Sequence, residues 1–122
     1  MTAARRKKVA IIDDDDDGRD SLRILLEIAG HVVEAFASAA AFLQAEIDGM
    51  ACVIADHHMP HMTGLDLVER LRANGIGIPV LLVTGALSPA IVARAARLGV
   101  ERVLEKPLDE QALLDFINSK MC

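Results

Sequence analysis

The stretch ACVIADHHMPHMTG, from Ala51 to Gly64, decides the fold of this chain. It begins with an apolar run, Ala51 to Ala55, and continues into a segment that contains Pro60. A short apolar run that ends in such residues predicts a buried strand followed by a loop. We therefore expect Asp56 at the carboxyl end of this strand, exposed to solvent but on a rigid base. In a parallel α/β sheet, reactive residues and ligands lie at this edge.

Three other apolar runs end in polar residues in the same way. VAII precedes Asp13 and Asp14, PVLLV precedes Thr84, and RVLE precedes Lys106. The carboxyl ends of parallel strands lie along one edge of a sheet. We therefore expect the polar side chains that follow the four runs to share one site.

The rest of the chain alternates strand-like and helix-like patterns. Strands are predicted at about 8–12, 31–36, 51–56, 79–83 and 101–105, and helices at about 16–29, 39–47, 64–73, 89–98 and 110–119. Ser38, Thr63, Ser88 and Asp109 are the predicted caps of the last four helices. This alternation predicts an α/β fold of three layers, with a five-stranded parallel sheet between helices on two faces. Right-handed crossovers leave few topologies, and the flavodoxin-like order 2-1-3-4-5 makes the first and third strands neighbours.

Length and composition predict one domain over residues 1–122, with a folded core from about 8 to 119. The net charge of −5 argues against binding of a nucleic-acid backbone by the whole domain. Aromatic residues make up only 2% of the chain, so the stacking platforms of single-strand binders are missing. The basic run Arg5 to Lys8 is interpreted as a solvated lead-in to the first strand, not as a nucleic-acid or membrane contact.

The sequence also predicts a cytoplasmic location. Only four apolar residues follow the basic run, too few for a signal peptide, and no apolar stretch approaches the length of a membrane span. Cys52 and Cys122 have neither disulfide nor zinc spacing, which is typical of a reducing compartment. We expect no output domain after the fifth helix.

The predicted cluster of acids requires cations. Three carboxylates within about 5 Å repel one another by roughly 3 kcal/mol per pair at an effective dielectric near 20. One divalent ion together with Lys106 would bring the cluster close to neutrality. Oxygen ligands favour Mg²⁺ or Mn²⁺ over zinc. A carboxylate beside a metal, an ammonium and the Thr84 hydroxyl is a setting for phosphoryl transfer to Asp56.

The motifs IIDDDDDGRDSL, VIADHHMPHMTGLDLVERLR, PVLLVTG and LEKP resemble, in order and spacing, the receiver domain of two-component response regulators. The resemblance extends from Lys8 to about Ser119. It implies that Asp56 accepts a phosphoryl group from a phosphohistidine on a partner sensor kinase or phosphotransfer protein. It also implies that Mg²⁺ is held by Asp13, Asp14, Asp56 and the backbone carbonyl of His58.

The resemblance further implies a switch. Thr84 would close on the phosphoryl group, and Lys106, followed by Pro107 through a cis bond, would pair with it. Phosphorylation would then bias the surface of the fourth helix, fifth strand and fifth helix, where partners or a second copy of the chain bind. The protein would be a phosphoacceptor and not an enzyme, apart from self-phosphorylation and autodephosphorylation.

The sequence departs from the family pattern at several positions. Val103 occupies a position where the family commonly has Tyr or Phe, and valine cannot make the rotation attributed to that ring. Ala55 replaces a larger apolar residue. His58 and Ala86 lie two residues after Asp56 and Thr84, and we hypothesise that they set the lifetime of the phosphoryl group.

Several alternatives remain open from the sequence. Val103 suggests an interaction module that works without phosphorylation. A small Mg²⁺-dependent phosphatase with Asp56 as nucleophile is less favoured, because His58 is the nearest candidate acid and no cap segment exists. His57, His58 and His61 suggest a transition-metal site only weakly, since adjacent loop histidines usually point in different directions.

Overall fold

The computed structural model describes residues 7–121, so Arg5, Arg6 and Cys122 lie outside the described residues. The strands are β1 (Lys8–Ile12), β2 (Val32–Phe36), β3 (Met50–Asp56), β4 (Val80–Thr84) and β5 (Arg102–Glu105). The helices are α1 (Asp16–Ile28), α2 (Ala39–Leu43), α3 (Gly64–Ala73), α4 (Pro89–Arg97) and α5 (Glu110–Lys120). None of the helices in this range combines the length and the hydrophobicity needed to cross a bilayer.

The strands form one parallel sheet in the order β2-β1-β3-β4-β5. This is the predicted order, and it confirms the predicted α/β, flavodoxin-like fold class. β1 and β3 are hydrogen-bonded neighbours, with Ile12 opposite Ala55. β4 lies between β3 and β5, with Thr84 opposite Glu105. The residues that follow these strands therefore lie along one edge of the sheet.

The core has two layers, because successive side chains of a strand point to opposite faces of the sheet. Val9 and Ile11 pack on one face with residues of α1 and α5. Ala10 and Ile12 pack on the other face with residues of α2 and α3. All five residues of β4 are buried, as expected for a strand that is covered on both faces. The sheet edge that carries the polar residues thus rests on a rigid base.

The predicted end of α2 was wrong, whereas the other element boundaries agree with the prediction within one residue. α2 ends at Leu43, not near Ile47. The N–H of Ala45 donates to the carbonyl of Phe42, a tight turn that ends the helix. Ile47 packs against the core as the chain turns into β3. The four predicted caps are observed, including a full capping box between Thr63 and Asp66.

Candidate functional site

Carboxylates from two neighbouring strands meet at the carboxyl edge of the sheet. Asp13 and Asp14 directly follow β1, and Asp56 is the last residue of β3. Because β1 pairs with β3, one oxygen atom from each of the three carboxylates lies within 4.8 Å of the others. The structure thus brings together the three acids that the sequence predicted as neighbours.

Asp56 is buried, with only 6% of its surface exposed, so the prediction of an exposed side chain was wrong. α3 approaches the end of β3 so closely that a Cβ on Gly64 would lie 2.8 Å from the Asp56 carbonyl oxygen. The buried carboxylate is compensated by hydrogen bonds. Oδ1 accepts from the backbone N–H of His58 at 2.9 Å, and Oδ2 accepts from Nζ of Lys106 at 2.7 Å.

Lys106 reaches the acidic cluster from the end of β5. Its backbone N–H donates to the carbonyl of Thr84 at 2.8 Å, and the bond to Pro107 is cis, as predicted. The hydrogen bond to Asp56 raises the pKa of Lys106 above its ordinary value, although partial burial opposes this shift. Lys106 is therefore an ammonium at neutral pH, in contact with the central carboxylate.

Asp13 lies in a partly buried site beside other acids. Partial burial raises the pKa of Asp13, and the charges of Asp56 and Asp14 raise it further, against the lowering effects of the Asp15 N–H and of Lys106. Three carboxylates thus face a single ammonium in the described cluster. These oxygen donors fit Mg²⁺, which prefers carboxylates and water.

The fourth predicted ligand is the backbone carbonyl of His58, in the loop directly after β3, and its role stays a prediction.

Thr84 and His58 form a contact that the sequence did not predict. Thr84 is the last residue of β4 and is fully buried. Its Oγ1 lies 2.9 Å from Nε2 of His58 and accepts a hydrogen bond from the N–H of Ala86 at 3.1 Å. His58 therefore binds Asp56 through its backbone and Thr84 through its side chain.

Two glycines that shape the site were also missed by the sequence reasoning. A Cβ on Gly18 would lie 2.9 Å from Oδ2 of Asp15 and 3.1 Å from Oδ2 of Asp13, and one on Gly64 would lie 2.7 Å from Cδ1 of Leu82. Asp15 is the N-cap of α1 and accepts from the N–H of Gly18. The available signal was the presence of glycine in the first turn of a helix, where it is unfavourable unless close packing requires it.

The loop histidines do not form a cluster of their own. Nδ1 of His57 accepts a bond from the N–H of Leu65 at 3.4 Å, and burial lowers the pKa of His57. The rings of His57 and His58 meet edge-on, with centroids 5.3 Å apart. Between residues 7 and 121, the acidic trio is the only group of three or more His, Cys, Asp or Glu side chains placed to share a metal ion. The transition-metal alternative thus has no geometric support in this range.

A cavity of about 330 Å³ adjoins the acidic cluster. Its apolar lining includes Leu22 of α1 and the Pro107–Leu108 segment between β5 and α5, whereas Asp56 and Lys106 belong to its polar lining. The cavity thus extends from the acidic cluster toward α1 and the segment before α5.

Val103 lies in β5, at the position where the sequence departs from the aromatic residue that is common in similar proteins. It is half-buried and packs against the cluster of Leu65, Leu82 and Ala95, which joins the sheet to α3 and α4. The position is thus filled by a small aliphatic side chain that is already part of the core.

Comparisons with known proteins agree on one family. The sequence profile of the response regulator receiver domain matches residues 9–118. The transcriptional regulatory protein FixJ of Azorhizobium caulinodans is 38% identical over 104 residues, which are 84% of this chain and 49% of FixJ. The chain spans about half the length of the FixJ proteins that it matches.

Solved structures give the same result. The response regulator StyR has a TM-score of 0.88 and 37% identity, covering 96% of this chain and 60% of StyR. The chemotaxis protein CheY4 of Vibrio cholerae has a TM-score of 0.83 and 28% identity, covering 95% of this chain and 99% of CheY4. With an acidic trio, a lysine and a threonine at the carboxyl edge of a 2-1-3-4-5 sheet, the chain belongs to the receiver domain family of two-component response regulators.

Proposed function

We propose that Asp56 is the phosphoacceptor of this receiver domain. The observation that carries the proposal is the convergence of the acidic trio with the Lys106 ammonium, which lies 2.7 Å from Asp56. The donor would be a phosphohistidine of a sensor histidine kinase or of a phosphotransfer protein. Asp13, Asp14, Asp56 and the carbonyl of His58 would hold Mg²⁺, which offsets charge on the phosphoryl oxygens when bound.

The reaction is a displacement at phosphorus. An oxygen of the Asp56 carboxylate forms a bond to phosphorus, and the bond from phosphorus to the donor's imidazole nitrogen breaks. The ring, protonated at its other nitrogen, leaves as neutral imidazole with the electron pair of the broken bond. Lys106 loses its contact with a free carboxylate oxygen and gains a phosphoryl oxygen as partner. The product is an aspartyl phosphate, so the chain acts as an acceptor and not as a turnover enzyme.

The proposed switch connects the site to α4, β5 and α5. The Lys106 N–H binds the Thr84 carbonyl, and Oε2 of Glu105 accepts from the N–H of Leu87 at 3.1 Å. A movement of Thr84 toward a phosphoryl group would therefore disturb both the loop before α4 and the end of β5. This surface would bind partners or a second copy of the chain, and we propose a cytoplasmic setting for these contacts.

Acetyl phosphate with Mg²⁺ tests the proposal. We expect a mass increase of one phosphoryl group that is removed by hydroxylamine, which cleaves acyl phosphates. Asp56→Asn should abolish the increase, whereas Asp17→Asn, a matched change in an exposed acid outside the trio, should keep it. Labelling that persists in Asp56→Asn would refute the assignment of the acceptor.

The same experiment separates the alternatives. Turnover of added phosphate esters would support the phosphatase, in which Asp56 is a nucleophile that is regenerated. No reaction with acetyl phosphate or with a phosphorylated phosphotransfer domain would support the interaction module that Val103 suggested.

A further inference from the structure

The hydroxyl of Thr84 has one proton to donate, and the hydroxyl is buried. A hydroxyl group offers one donor position and two acceptor positions. The N–H of Ala86 occupies an acceptor position of Oγ1 at 3.1 Å, and Nε2 of His58 lies 2.9 Å away on another side. Because Thr84 has no exposed surface, its proton needs an acceptor within the protein, or the buried group loses hydrogen-bonding energy.

Of the two partners of Thr84, only His58 can accept this proton. An amide N–H only donates, whereas a neutral imidazole accepts through the ring nitrogen that carries no hydrogen. Satisfaction of the hydroxyl therefore assigns the His58 proton to Nδ1 and leaves Nε2 as the acceptor. His58 is exposed, so its Nδ1–H can donate to water.

We propose that His58 is a positioning residue that holds Thr84 in the resting state, and that the Thr84 hydroxyl exchanges Nε2 of His58 for a phosphoryl oxygen when Asp56 is phosphorylated. The inference rests on the proposed function, because it needs a phosphoryl group on Asp56. Phosphoryl oxygens only accept, so the hydroxyl cannot give its single proton to both partners. The contact with His58 therefore competes with the closing of Thr84.

The exchange favours the phosphorylated state. A hydrogen bond to a phosphoryl oxygen is charge-assisted and roughly twice as strong as one between neutral groups. His58 also donates its backbone N–H to Oδ1 of Asp56 at 2.9 Å. One residue thus contacts both the phosphoacceptor and the threonine that would respond to it, a coupling that needs no aromatic side chain at Val103.

Titration with beryllofluoride, a phosphoryl mimic, in saturating Mg²⁺ tests the exchange. His58→Phe keeps a planar ring but removes the acceptor, so the half-saturating concentration should fall by about three- to tenfold, the effect of one ordinary hydrogen bond. His58→Gln restores an acceptor oxygen and should move the value back toward that of the wild type. Weaker binding by His58→Phe, or binding equal to the wild type, would overturn the proposal.

A double-mutant cycle separates this role from a merely structural one. Thr84→Val removes the hydroxyl proton with little change in shape, so His58→Phe should have no further effect in that background. An equal gain in both backgrounds would contradict the proposal. Thr84→Ala provides a second background if the valine variant unfolds at the assay temperature.

A spectroscopic readout tests the resting state without metal or mimic. In metal-free protein, the ¹⁵N shifts of the neutral His58 imidazole should place the proton on Nδ1, and addition of Mg²⁺ and beryllofluoride should change the Nε2 shift. A proton on Nε2 in the resting state would overturn the proposal.

If the wild type does not bind beryllofluoride at all, the proposed function fails and the exchange fails with it. If it binds and His58→Phe is unchanged, only the exchange fails.

Discussion

Nζ of Lys106 lies 2.7 Å from Oδ2 of Asp56, although β3, which ends at Asp56, and β5, which ends just before Lys106, are not neighbours. The contact passes over the end of β4, which separates β3 from β5. Lys106 thereby adds a fixed positive charge to the cluster in which Asp13, Asp14 and Asp56 would bind Mg²⁺. The ammonium and the metal ion are expected to repel each other while both attract the carboxylates.

Removal of this ammonium should strengthen Mg²⁺ binding while weakening phosphorylation. In Lys106→Met the metal no longer meets a neighbouring positive charge, and we expect a Kd for Mg²⁺ lower by about three- to tenfold after solvent screening. Calorimetric titration measures this change. Lys8→Met, which removes a surface partner of Glu34, is the control and should leave the Kd unchanged. Weaker Mg²⁺ binding in Lys106→Met would show that the lysine does not oppose the metal.

The sequence was sufficient for the fold and for the acidic trio, because both follow from where apolar runs end. Asp13 and Asp14 follow β1 and Asp56 ends β3, so the sheet order alone makes them neighbours. The burial of Asp56 was not predictable in this way, since its carboxylate is enclosed by partners from outside its own strand, the N–H of His58 and the ammonium of Lys106. The contact between His58 and Thr84 also escaped prediction, because the direction of a loop side chain is set by packing across the sheet edge and not by spacing in the chain.

The close approach of α3 predicts a strong effect of Gly64→Ala. The added Cβ would lie 2.7 Å from Cδ1 of Leu82, 2.8 Å from the Asp56 carbonyl oxygen and 3.0 Å from Cα of His57. Two of these atoms belong to the backbone, so relief requires movement of the loop that carries the site. We expect a loss of roughly 1–3 kcal/mol in the free energy of unfolding, measured by urea denaturation, together with slower phosphorylation.

Gly77→Ala is the matched control for this change. A Cβ at Gly77 meets no atom within 4 Å, and its φ is not positive. We expect no loss of stability, or a gain of about 0.4–1 kcal/mol through the reduced entropy of the unfolded chain. Equal losses of stability in the two variants would mean that the close contacts at Gly64 are not the cause of the loss in Gly64→Ala.

The raised pKa of Asp13 predicts that metal-free protein becomes less stable as the pH rises. Burial is the main cause, followed among the raising effects by the charge of Asp56. The folded state therefore binds the Asp13 proton more tightly than the unfolded state does. The stability that this proton contributes is fully present below the ordinary pKa of 3.8 and is lost as the pH rises through the folded-state pKa.

Asp13→Asn should remove that loss. The amide keeps an oxygen that can accept from the N–H of Asp15 but carries no charge, so metal-free protein should gain about 0.5–1 kcal/mol at neutral pH after allowance for solvent screening. In saturating Mg²⁺ the wild type should instead be the more stable of the two proteins, because only the wild type has the full set of metal ligands. Thermal melts with EDTA and with Mg²⁺ measure both effects, and Asp17→Asn, which lies outside the trio, should show no such reversal between the two conditions. A loss of stability in EDTA would contradict the assigned electrostatics.

The ion pairs of Arg94 predict a different response to acid. Its guanidinium, on α4, lies 2.9 Å from Asp66 and 2.7 Å from Glu69 on α3. The hydrogen bond from Arg94 is the main cause of the lowered pKa of Asp66, and the N–H of Thr63 adds to it. A lowered folded-state pKa means that this stability is present above the ordinary value of 3.8 and is lost as the pH falls through the folded-state pKa.

Arg94→Met should therefore cost about 0.3–1 kcal/mol at neutral pH, the range for partly exposed pairs, and little at a pH below the folded-state pKa of Asp66. Urea denaturation at both pH values measures the difference, with the exposed Arg97→Met as control. A cost that stays the same in acid would mean that Arg94 stabilises the protein through its apolar stem and not through its charge.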